Sequence, residues 1–250
     1  MCRSTRRGRW FTRDNESTIM RIIPVLAVLA LSGGAAAADA QSCLGIASFA
    51  AGPIRAEGSF TSGDGANLLG AGLAAGKARG PFAGVGINRI DVEESDESVT
   101  GFGLHAGWEL ELGTARPTTA TRWSLCPIAR FQQYRESFSD PDFDLDADVT
   151  VRGLSAGLAL GTTIASSPNF ALAPFGSLSL LRLSVDTEGL GEEFDDLLSD
   201  SETGGELDLG LGLIFNRMLT VRPMVMIPLG FEDSDAQFGI SVHINFGRGR

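Results

Sequence analysis

Strict alternation of apolar with small or polar residues constrains this chain more than any other feature. The segment QFGISVHINF, residues 237–246, sets Phe238, Ile240, Val242, Ile244 and Phe246 against Gly239, Ser241, His243 and Asn245. A period of two means a β-strand whose two faces meet different surroundings. The pattern recurs in TGFGLHAGWELEL (100–112), ELDLGLGLIF (206–215) and LTVRPMVMIPL (219–229). Weaker alternation marks strands near 52–62, 66–77, 81–91, 121–135, 147–162 and 169–185, giving ten in all. Eight is the alternative, if residues 50–77 do not join the wall. Two strands change parity, near Gly153 and near Leu180–Leu181, which reads as β-bulges. No stretch after residue 40 holds a helical period for long.

The second face decides where the apolar face points. A soluble barrel turns its apolar face inward and covers the outside with charge. These strands offer glycine, serine and alanine instead. A transmembrane barrel does the reverse, with an apolar band toward lipid and small or polar residues toward the lumen. Closure then pairs every backbone group, as hydrocarbon requires. The fold class that follows is all-β, an antiparallel up-and-down transmembrane β-barrel of ten strands.

Charge sorts the connections. Every second one is acidic: Asp64, Asp91–Glu97, Glu136–Asp148, Asp186–Asp208 and Glu232–Asp235 hold 25 of the 28 acids after residue 40. The connections between them, KARGP, GTARPTTAT, TTIASSPN and NRM, hold none. In an up-and-down barrel alternate connections share an end, so the acids collect at one rim and the neutral or basic turns at the other. Phe82, Trp108, Trp123, Phe170, Phe215 and Phe246 fall near the neutral turns. Phe60, Phe102, Phe231 and Phe238 fall near the acidic ones. Two aromatic belts are what membrane interfaces favour.

MRIIPVLAVLALSGGAAAADA, residues 20–40, has the short apolar run and A-x-A ending of a secretory signal peptide, cut between Ala40 and Gln41. Residues 1–19 lie upstream of it, and translation from Met20 is the simplest account of them. The mature chain divides into an N-terminal segment, 41–51, and a barrel, 52–247. Six of the 20 basic and three of the 31 acidic residues precede Gln41, leaving a net charge of −14. That excludes a nucleic-acid partner, whose phosphates would be repelled. Cys43 and Cys126 remain as an even pair in an oxidising compartment, which implies a disulfide. A lipid-modified Cys43 and two free thiols are the alternatives.

In these features residues 50–246 resemble the small bacterial outer-membrane β-barrel proteins. Gln237, Gly239, Val242 and Ile244, with Phe246 after them, match that family's assembly signal, polar-x-Gly-x-x-apolar-x-apolar before a terminal aromatic. The GRGR tail departs from the pattern. The resemblance implies outer-membrane localisation, recognition by the barrel assembly machinery, and contact with outer-membrane lipid and lipopolysaccharide. Divalent cations at the acidic loops are a further expected partner.

Sites for chemistry are sparse. GAGLAAG (70–76) matches a dinucleotide turn but lies inside a strand, with no helix after it. Asp140, Asp142, Asp144, Asp146 and Asp148 are dense enough for calcium, but the glycine and glutamate of an EF-hand loop are missing. His105 and His243 face the lumen away from the outer rim. No catalytic residue, metal site or cofactor is expected. The lumen should hold Arg55, Glu57, Glu109, Glu111, Arg130, Arg152, Glu206, Asp208 and Arg222, with Arg130 pairing to carboxylates such as Glu109 and Glu111. The functional expectation is a structural or surface-interaction barrel. The alternatives are a narrow diffusion pore and, after it, an outer-membrane enzyme or a soluble periplasmic barrel.

Overall fold

In the computed structural model the described residues are 42–247, apart from 64, 93–97, 113–120, 141–144, 168, 189–199 and 232–234. The signal peptide, its cleavage site at Ala40 and Gln41, and Asp142 and Asp144 lie outside them. Eleven strands follow a 3₁₀ turn at Ser42–Leu44. They are β1 (Ile54–Gly63), β2 (Ala66–Gly76), β3 (Pro81–Val92), β4 (Ser98–Trp108), β5 (Leu110–Leu112), β6 (Thr121–Asp140), β7 (Leu145–Ser167), β8 (Phe170–Glu188), β9 (Asp200–Phe215), β10 (Leu219–Leu229) and β11 (Gln237–Phe246).

Apart from β4 and β5, each strand pairs antiparallel with its sequence neighbour, and β1 pairs with β11 from Ile54–Phe246 to Ser62–Phe238, so the sheet closes. β5 continues β4 past Glu109, and both pair with β6. The wall therefore has ten staves, the number the alternation gave. At the neutral rim Asn216 and Arg217 join β9 to β10 with positive φ, and the Met218 N–H donates to the Phe215 carbonyl at 3.0 Å. That is the primed hairpin turn whose twist suits antiparallel strands.

The outer wall is apolar. Leu69, Leu73, Val85, Ile87, Leu104, Leu154, Leu158, Leu178, Leu209, Ile240 and Val242 all stand exposed on it. Trp108, Trp123, Phe215 and Phe246 bound this band at the neutral end, with the Phe170 ring 5.3 Å from Phe215. Phe60, Phe102 and Phe238 bound it at the other, with the Phe131 ring 5.9 Å from Phe102. Phe238 and Phe246 are eight residues apart on β11, roughly 20 Å of height at ~3.3 Å per residue and ~40° tilt. Two expected members of the belts are not in them. Phe82 points inward, because Val85 and Ile87 fix the outward parity of β3, and Phe231 packs on an interior cluster.

The parity changes have another cause than bulges. β7 and β8 keep one unbroken register from Asp148–Glu188 to Gly161–Phe175, and the shift in this ladder lies at Ala165/Ser167. The surroundings change instead. A membrane strand needs about 9–11 residues, but β6, β7, β8 and β9 run to 20, 23, 19 and 16. On β8, Leu178 and Leu180 face outward while Ser177 and Ser179 face in. Beyond them Arg182 and Ser184 face outward while Leu181, Leu183 and Val185 face in. Above the band the wall adopts the polarity of a soluble barrel.

Candidate functional site: a lumen filled in three layers

The residues expected to act lie in or around the lumen, which is packed from one rim to the other. At the neutral end the N-terminal segment enters it. Cys43, Leu44, Ile46 and Phe49 cluster with Ala74, Phe82, Cys126, Ile128 and Ala159, and Ala47 sits on Ala173 and Ile214. A disulfide joins Cys43 to Cys126, with Cα atoms 5.9 Å apart. The segment fills the mouth of the barrel.

Lumen side chains hold its backbone. Arg222 Nη1 donates to the Leu44 carbonyl at 3.1 Å, and Arg222 Nε to Ser241 Oγ at 3.1 Å. Its guanidinium also stands 5.0 Å from the Phe175 ring centroid. Asn245 Nδ2 donates to the Ser48 carbonyl at 2.9 Å, and the Ala47 N–H donates to Thr220 Oγ1 at 3.1 Å. Arg55 pairs with Glu57 at 3.0 Å, donates to the Ala47 carbonyl at 3.4 Å and lies 4.3 Å from the Phe49 ring centroid. Arg55 and Arg222 thus serve the inserted segment as well as the wall.

Glycines make the room. A Cβ at Gly212 would sit 1.7 Å from the Gly45 carbonyl oxygen, so only glycine lets the segment lie against β9. Cβ atoms at Gly101 and Gly107 would meet the Tyr134 and Phe82 rings at 2.4 and 2.3 Å. The small face seen in the sequence is therefore a set of seats for interior rings and backbone.

The middle layer is polar. Arg130 Nη1 donates to Glu206 Oε1 at 3.2 Å, and Arg130 Nη2 is 3.6 Å from Asp208 Oδ2, which also accepts from Ser177 Oγ at 2.7 Å. Ser59 Oγ, Thr61 Oγ1, Ser179 Oγ and Gln237 Oε1 are buried without a hydrogen-bond partner among the described residues. Phe175, Met224 and Met226 pack beside them. Toward the acidic rim a third, apolar layer closes the interior: Ala66, Leu68, Ile90, Val99, Tyr134, Val151, Leu181, Leu183 and Val185.

Three of the residues expected in the lumen network lie elsewhere or pair otherwise. Glu109 is buried at the neutral rim, where Oε2 accepts from the Arg79 N–H at 3.1 Å. Glu111, two residues further along in β5, pairs with Arg79 Nε at 3.0 Å. Neither is Arg130's partner; Glu206 and Asp208 are, because they reach the same depth from across the barrel. Arg152 faces outward and pairs with Asp186, since no bulge turns it inward. His105 lies in the lumen 6.4 Å from the Phe82 ring, and His243 Nε2 is 2.8 Å from Ser241 Oγ. The 70–76 glycine stretch belongs to β2. Of the assembly-signal residues, Gln237 is buried inward, while Val242, Ile244 and Phe246 face out.

No protein-family model matches the chain, and no curated protein does. Among solved structures it is similar to the N-terminal β-barrel domain of Pseudomonas aeruginosa OprF, at 11% identity and a TM-score of 0.36, over 77% of this chain and 96% of that one. It is similar to Ail, the attachment invasion locus protein of Yersinia pestis, at 16% identity and a TM-score of 0.33, over 76% and 91%. The translocator domain of the autotransporter NalP from Neisseria meningitidis aligns at 14% identity and a TM-score of 0.39, over 93% and 98%. At these scores the alignments add nothing to the architecture, which rests on the strand pairing.

Proposed function

We propose that the chain is an integral β-barrel of a bacterial outer membrane, exported through a cleaved leader, with a sealed lumen and a structural or surface-contact role. The observation that carries this is the double closure of the interior, by the disulfide-bound segment 43–49 at the neutral rim and by the Leu68–Val185 cluster at the acidic rim. A diffusion pore needs a continuous wet path, and an enzyme working in the lumen needs an entrance. The apolar outer band between two aromatic girdles supports residence in a bilayer. The acidic connections, facing outward from the cell, are where divalent cations and surface partners would meet it.

Refolded mature protein in planar bilayers should show no stepwise conductance under an applied voltage. Regular, reproducible steps from the disulfide-intact protein would overturn the sealed reading in favour of the pore. Orientation has its own check. Ala236 is exposed at the acidic rim and Met218 at the neutral one. With both native cysteines in their disulfide, Ala236→Cys should react with a membrane-impermeant thiol reagent on intact cells, and Met218→Cys should not. The opposite result would reverse the topology.

A further inference from the structure

We propose that the outer wall carries an arginine ring that binds the phosphate groups of the outer-leaflet lipid, on the face formed by β3, β4, β6, β7 and β8, to which β4 contributes no arginine. The placement is regular. Arg89, Arg152 and Arg182 are each the next outward-facing residue after the last exposed aliphatic of their strand, which is Ile87, Leu154 and Leu180 respectively. On β6, Arg135 is the second outward residue beyond Phe131. Arg182 stands directly opposite Leu154, and Arg152 opposite Ser184, so these two lie diagonally on neighbouring strands. The four sit just above the upper aromatic girdle, at the height of lipid headgroups.

The distribution of positive charge is as telling. Among basic residues whose side chains are described, Arg55, Arg130 and Arg222 lie in the lumen, and Lys77, Arg79 and Arg217 at the neutral turns. The other four make this ring. In a chain this acidic, a level that gathers outward cations on one face is complementary to an anionic surface at that depth.

Three of the four arginines are oriented in the same sense. Arg89 pairs with Asp91 at 2.8 Å, Arg135 with Asp148 at 2.7 Å, and Arg152 with Asp186. Asp91 is two residues nearer the acidic rim than Arg89. Asp148 and Asp186 are two nearer than Thr150 and Ser184, the residues opposite Arg135 and Arg152. Each carboxylate thus holds its guanidinium from the water side. Asp148 is fixed in that role, since hydrogen bonds from Ser137 and then Arg135 hold its carboxyl below the usual range. A guanidinium carries five donors in a planar fork. A carboxylate above it leaves donors turned toward the bilayer, where a phosphate accepts them as charge-assisted bonds.

This inference rests on the outer-membrane reading, and its test separates the two. The disulfide-intact protein, refolded in zwitterionic detergent, is titrated with purified lipopolysaccharide and with the same lipid stripped of phosphate. The native protein should hold the phosphorylated lipid at least about tenfold more tightly, at moderate salt. Combined Arg89→Gln, Arg135→Gln, Arg152→Gln and Arg182→Gln should abolish that preference while the heat-modifiable gel shift remains. Equal binding of both lipids by the native protein would sink the ring, whatever the variant does. An unchanged preference in a folded variant would sink it too. A phosphate preference combined with reversed labelling of Ala236→Cys would place the ring in the other leaflet and overturn the outer-leaflet partner.

Discussion

Arg130→Ala should lower the stability of the barrel by about 3–5 kcal/mol, the cost of leaving buried carboxylates without their counter-ion. Arg130, Glu206 and Asp208 are each at most about one-twentieth exposed, and the two acids meet the arginine from a strand 76 residues away in the chain. Removing the guanidinium leaves two adjacent carboxylates facing each other in a closed interior. The measurement is the temperature at which the compact band converts to the unfolded band on a gel, with urea midpoints as a second reading. Glu206→Gln with Asp208→Asn on top of Arg130→Ala should recover much of the loss, because the charge is then gone from both sides. An unchanged midpoint for Arg130→Ala would mean that the middle layer is wet enough to screen the pair, and the sealed lumen would fall with it.

The second large effect concerns the disulfide. Cys43→Ser with Cys126→Ser should cost about 4 kcal/mol in the chain-entropy model, since the bond closes a loop spanning 83 residues. Without it the N-terminal segment is held inside the neutral mouth by hydrogen bonds to Arg222, Asn245, Arg55 and Thr220 and by the packing of Leu44, Ile46, Ala47 and Phe49. Urea unfolding of the native protein with and without reductant, beside the double serine variant, reads this directly. The reduced protein and the variant should share one lowered midpoint. Identical midpoints in all three samples would mean the segment is held without the bond.

Period two made much of the fold legible. Once Val242 and Ile244 on β11, or Leu207 and Leu209 on β9, are assigned to one face, every other residue of the strand follows, and hairpin connections with alternating charge give the order of the staves. The disulfide was legible for the same reason, since Cys126 has lumen parity on β6. How far Cys43 enters was not, because an irregular segment has no period to read. The expected bulges and the inward Arg152 share a single error. A sequence shows a change in which parity is apolar, but a bulge and a passage from lipid into water produce the same change. Strand length distinguishes them, and the connections that set it carry no period of their own. Arg130's partners were hidden because lumen pairs cross the barrel, so separation in sequence carries no hint of depth. Phe82 lies beside a neutral turn like the belt aromatics, but Val85 and Ile87 assign the outward parity of β3 and leave Phe82 inside.

The inversion of polarity along β7 and β8 also determines how deep the molecule rides. Sinking by two residues would push Arg89, Arg152 and Arg182 into hydrocarbon, where a lipid-facing arginine costs up to about 2–4 kcal/mol near the midplane and less toward the interface. Rising by the same amount would lift Leu154 and Leu180, each more than half exposed, out of the lipid into water, at about 25 cal/mol for every Å² of apolar surface wetted. Both displacements are resisted, by different residues and different forces. The barrel is therefore held vertically like a float with a marked waterline, and a thinner or thicker bilayer must deform to meet that line.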